Sequence, residues 1–140
     1  MTPKSIDHDV KKILNKLDAT HEPIFINVTP EVGAKVSDCF IIVREKVKKV
    51  GGRMILGWQI WKTKYMVEAE FHAVWENQDE ELVDLTPKEI NIKKILFVED
   101  ENLVYNERQV DNIRLNISSN PLVDDLINVC EAIHRFNNLE

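Results

Sequence analysis

The spacing of apolar residues changes once along this chain, and the change dictates what layers it can build. Up to residue 50 apolar residues recur every three or four positions, whereas from Arg53 they recur every second position for more than twenty residues. A period near 3.6 gathers side chains on one face of a helix, and a period of two gathers them on one face of a strand. The sequence therefore predicts helices first and a sheet second. Ser5 is placed to cap a helix carrying Ile6, Val10, Ile13, Leu14 and Leu17, which ends before His21-Glu22-Pro23. Ile24 to Val28 is short and β-rich. Thr29-Pro30 and Gly33 break the chain before a second helix with Val36, Phe40, Val43, Val47 and Val50 on one face, stopped by Gly51-Gly52. Strands are expected near 53–62, 65–76 and 81–85, with a further one over Ile95-Leu96-Phe97-Val98, closed by Glu99-Asp100-Glu101. Residues 102–119 are undecided, except that Ile113, Leu115 and Ile117 alternate as an edge strand would. A last helix follows Asn120-Pro121, with Leu122, Leu126, Val129, Cys130 and Ile133 expected against the core. The pattern is α+β: N-terminal helices packed on a mostly antiparallel sheet of about 4–6 strands, with a C-terminal helix.

With 140 residues and 16.3 kDa, one domain spanning 1–140 is the expectation. No run approaches the ~18 apolar residues of a membrane span, and MTPKSIDHDVKK contains no apolar export signal, so the reading is no membrane and a cytoplasmic location. A net charge of −6 argues against a nucleic-acid partner, which needs a basic footprint. The charge is uneven: residues 1–66 hold 12 Lys/Arg against 7 Asp/Glu (+5), and residues 67–140 hold 6 against 17 (−11). A site built between the halves would join opposite fields. Two cysteines supply neither a disulfide framework nor a four-cysteine zinc site.

The cysteines differ in setting. Cys130 lies in the apolar stripe of the last helix and reads as core. Cys39 follows Ser37 and Asp38, either of which can cap the second helix, so its sulfur falls in the first turn. Helix N-termini favour thiolate, and their backbone N–H groups can hold an oxyanion, although the carboxylate of Asp38 works against the first effect. In the strand near 65–76, parity puts Val67, Ala69, Phe71, Ala73 and Trp75 on one face, and Met66, Glu68, Glu70, His72, Val74 and Glu76 on the other, polar face. His72 is the candidate base. A hairpin loop centred on Gln78 would set it directly opposite Asp84, which could then orient the imidazole. Nucleophile, base and orienter in that order are the parts of thiol acyl transfer.

The stretch from Cys39 to Pro87 resembles the core of transglutaminase-like and papain-like thiol enzymes. The resemblance lies in Asp38-Cys39 opening a helix, Gly51-Gly52 after it, Gly57-Trp58 in the next strand, Phe71-His72-Ala73-Val74-Trp75-Glu76, and Leu82-Val83-Asp84-Leu85-Thr86-Pro87. The same block is similar to a set of small bacterial proteins, some of which carry a cysteine-rich zinc-binding tail that this chain lacks. The resemblance implies a thiol-enzyme-like core over about 36–99. It also implies a nucleophilic Cys39, a general base His72 and an orienting Asp84, acting on the amide of a peptide, protein glutamine or amino-acid conjugate without cofactor or metal. Gln59 is a candidate oxyanion or substrate donor, on the strand face shared by Gly57 and Trp61, and Trp58 a candidate cleft wall. Two other readings stand beside this one. The fold could serve as a catalytically inactive protein-interaction module with Cys39 simply packed, or Glu68, Glu70 and His72 could bind a divalent metal from one strand face.

Overall fold

The computed structural model describes residues 1–139. Its elements are α1 (His8–Leu17), β1 (Ile24–Val28), α2 (Cys39–Val50), β2 (Arg53–Lys62), β3 (Met66–Glu76), β4 (Leu82–Asp84), β5 (Lys94–Glu99), β6 (Ile113–Asn116) and α3 (Pro121–Asn137). The α+β expectation holds, with three helices and six strands. The sheet runs β2-β5-β1-β4-β3-β6, and β2 also pairs along its whole length with β3. That extra pairing joins the ends of the sheet, so five strands close into a barrel with β6 attached outside the ring. All pairings are antiparallel except β1 with β4.

Closure gives the sheet two apolar layers where a flat sheet would keep one polar face. Outside, Val10 and Ile13 of α1 and Phe40 and Val43 of α2 pack on Trp58, Ile60, Val67, Ala69, Phe71 and Ala73. The alanines at 69 and 73 leave the space the helices fill. Inside, Ile26, Ile55, Val74, Ile95 and Phe97 form a second cluster. Burying a residue as large as Phe71 or Phe97 contributes about 1.5–3 kcal/mol, and both are fully enclosed. The polar face of β3 therefore points into the barrel, and His72 is buried there, not solvated. Gly57 permits the closure: a Cβ at that position would stand 2.2 Å from the carbonyl oxygen of Val98 on β5.

Several local expectations are corrected. Asp7, not Ser5, caps α1, its carboxylate accepting from the Val10 N–H at 2.9 Å. Ile6 and Val36 fall outside the helices they were assigned to. α3 starts at Pro121, capped by Asn120, and the face of α3 that meets the core carries Val123 and Ile127, while Leu122, Leu126, Val129 and Ile133 are exposed. Cys130 is only half-buried, so it is not a core residue. Periodicity shows that a helix has an apolar stripe; it does not show which neighbour covers that stripe.

Candidate functional site

The site forms where β3 lacks a neighbour. One edge of β3 is filled by β2; the other is held by β6 at Met66–Ala69 and by β4 at Trp75–Glu76. Between them, residues 70–74 have no strand partner on that side, and the Phe71 carbonyl oxygen instead accepts from the Gln109 side chain at 2.9 Å. A cavity of about 450 Å³ opens at this gap, lined by Cys39, Trp61, Glu70, His72, Thr86 and Lys88 among others.

Cys39 is the first residue of α2 and is buried. Ser37, with φ 71°, turns the chain into the helix from a backbone region that non-glycine residues seldom occupy. Asp38 occupies the cap position but makes no side-chain cap bond, and the first intrahelical bond runs from the Ile42 N–H to the Asp38 carbonyl. The N–H groups of residues 39–41 therefore have no acceptor within the helix. These are the donors that an oxyanion beside the sulfur would meet.

His72 is held from the opposite side. Its Nε2 lies 3.0 Å from Oδ1 of the buried Asp84. Burial pushes the Asp84 carboxyl up, but the His72 hydrogen bond and the charges of His72 and Lys88 outweigh it, leaving the group below the usual carboxylate range. An ionised carboxylate only accepts, so Nε2 carries the proton and Nδ1 is the ring nitrogen left for the thiol. Burial alone would depress the imidazole pKa; hydrogen bonding to Asp84 and Cys39 overcomes it and raises His72 from 6.5 to about 9. The imidazolium is thus favoured at neutral pH, with the Asp84 carboxylate on one side and Cys39 on the other.

His72 and Asp84 meet, though not in the expected register. The pairs Trp75↔Val83 and Glu76↔Leu82 centre the hairpin on Asp79, one residue later than expected. Asp84 therefore stands diagonal to His72, not directly opposite. Moving the centre by one residue shifts the pairing by two, and a shift of two keeps both side chains on the same face. Diagonal neighbours lie ~7–8 Å apart between backbones, within reach of an imidazole and a carboxylate.

The structure also places residues that the sequence reading passed over. Lys88, with only 8% of its side chain exposed, puts Nζ 2.6 Å from Asp84 Oδ2 and 3.4 Å from Gln59 Oε1. The Thr86 N–H donates to Asp84 Oδ1 at 3.2 Å. Asp84 is thereby fixed by three groups, and only the Thr-Pro turn after β4 hinted that the chain folds back here. Gln59 is fully buried on the His72 face and does not line the cavity, contrary to its expected role as an oxyanion or substrate donor; its Oε1 accepts from Lys88, and its Nε2 has no hydrogen-bond partner among the described residues. Trp58 is not a cleft wall: parity puts it on the outer face of β2, packed 6.0 Å from Phe71 between ring centres. Trp61 takes that place, its Nε1 donating to Glu70 at 3.3 Å. Glu68, Glu70 and His72 do not converge as metal ligands, since Glu68 is bound by Arg114 and Asn112, Glu70 by Trp61, and His72 by Asp84. Among the described residues the three acidic or imidazole groups that do converge are His21, Glu99 and Glu101, which do not line the cavity.

No family model, curated protein or solved structure matches this chain.

Proposed function

We propose that this protein is a thiol-dependent hydrolase or acyltransferase that acts on an amide bond through Cys39, His72 and Asp84. The observation that carries the reading is the arrangement in one cavity: a cysteine at an uncapped helix N-terminus beside an imidazole whose other nitrogen is anchored by a buried carboxylate. A structural histidine needs no thiol at its second nitrogen, and a merely packed cysteine needs no open cavity in front of it.

The chemistry follows from these positions. His72 enters the reaction protonated, so the proton that it shares with Cys39 is already on the ring when the sulfur adds to the substrate carbonyl carbon. The carbonyl π electrons move to oxygen, where the N–H groups opening α2 stabilise the charge. Collapse breaks the C–N bond, and the leaving amine takes the proton from His72. Water or an acceptor amine then attacks the thioester, giving its proton to the imidazole; the C–S bond breaks, and the sulfur and the protonated ring return to their starting state. Asp84 keeps the ring oriented and stabilises its charge throughout, while Lys88 keeps Asp84 in place.

The test is to incubate the protein with a panel of acyl p-nitroanilides and follow its intact mass. The reading predicts an acyl adduct on Cys39 that vanishes in Cys39→Ser and falls at least ~100-fold in His72→Ala. Absence of any adduct across the panel, with the fold intact, favours the inactive interaction module.

A further inference from the structure

α3 is a 17-residue helix with only two buried residues, Val123 and Ile127. Isolated helices of this length are marginal in water, and most helical stability comes from covering an apolar face. The most apolar face of α3 is uncovered. Leu122 is 67% exposed, Leu126 50%, Val129 53%, Ile133 54% and Phe136 73%. Their spacings of four, three, four and three are those of the seam positions of a coiled coil, and at 100° per residue they fall within an arc of about 80°. The stripe contains no charged residue.

The area fits one kind of occupant. Taking roughly 150–200 Å² for a large apolar side chain, the five exposed fractions leave on the order of 500 Å² uncovered, near the top of the range for the largest patch on a monomer. Two such stripes facing each other bury on the order of 1,000 Å² in total, the size at which a specific interface between two copies begins. Two copies laid antiparallel set the two helix dipoles in opposition, the N-terminus of each beside the C-terminus of the other. We infer that the outward stripe of α3 is a self-association surface, on which a second copy of this chain packs its own α3 antiparallel about Val129.

Light scattering of the eluting protein over about 1–200 μM tests this directly. Twice the 16.3 kDa chain mass is expected, and Leu126→Lys with Ile133→Lys should raise the dissociation constant by more than ~100-fold without loss of helical circular dichroism. Because both side chains are already half exposed, the double variant leaves the core untouched. Mixing Leu122→Cys with Phe136→Cys chains should give a mixed disulfide between them. A monomer at the highest concentration overturns the inference, as does a dimer that survives the two lysines. Disulfides formed only between identical Leu122→Cys chains overturn the antiparallel arrangement.

Discussion

Raising the pH from 6 to 10 should remove a definite share of the folding free energy, and His72 is the reason. The imidazole titrates at about 9 in the folded chain, against ~6.5 in an unfolded one. The folded state therefore binds the proton more tightly. Its contribution is present in full below the unfolded value, declines by up to ~1.4 kcal/mol per pH unit across the window, and is lost above the folded value. A difference of about 2.5 units corresponds to roughly 3 kcal/mol. Asp84 acts in the opposite sense and elsewhere: its lowered pKa stabilises the fold above the ordinary carboxylate range and is lost only in acid. Urea unfolding of wild type and His72→Asn at pH 6, 7, 8, 9 and 10 isolates the effect. The stability difference between the two should shrink by about 3 kcal/mol over that span. A difference that changes by less than ~1 kcal/mol would mean that burial, not Asp84 and Cys39, governs the ring, and the account of its protonation would be wrong.

Other substitutions probe the supports of the site. Asp84→Ala leaves the His72 and Lys88 cations buried without their carboxylate and should cost about 3–5 kcal/mol in urea unfolding at pH 7. Lys88→Met removes the second cation from Asp84, so the His72 titration followed by the imidazole proton resonance should move upward, with Lys88→Arg returning it toward wild type. Gly57→Ala drives a Cβ into the Val98 carbonyl on β5 and should lower stability by more than ~2 kcal/mol, read from thermal unfolding.

Most elements were legible because their physical causes are local. The change of period at Arg53 marks the start of β2, and Asn120-Pro121 marks the start of α3. The helix start at Cys39 and the polar strand face carrying His72 were also legible, but not the gap in the β3 edge through which both line one cavity. What escaped the sequence is long-range. No local signal says that β2 pairs with both β3 and β5, yet that closure turns the polar face of β3 into the inside of a barrel and buries His72. The His72–Asp84 pair was found through a register that the structure corrects, and it survives because the correction preserves parity. Lys88 was missed because its role depends on the path of the chain after Thr86-Pro87. Trp58 was misplaced because it lies on the outer face of β2, whereas Trp61, three residues on, lies on the opposite face and lines the cavity.

The central claim is that His72, anchored by Asp84, activates Cys39. The rate of iodoacetamide reaction at Cys39, located by mass spectrometry and measured from pH 5 to 10 in wild type and His72→Ala, tests it most directly. The account predicts fast labelling of wild type well below pH 8 and a loss of that low-pH reactivity in the variant. Identical profiles for the two proteins, each rising only near the ordinary thiol value of about 8.5, would contradict it.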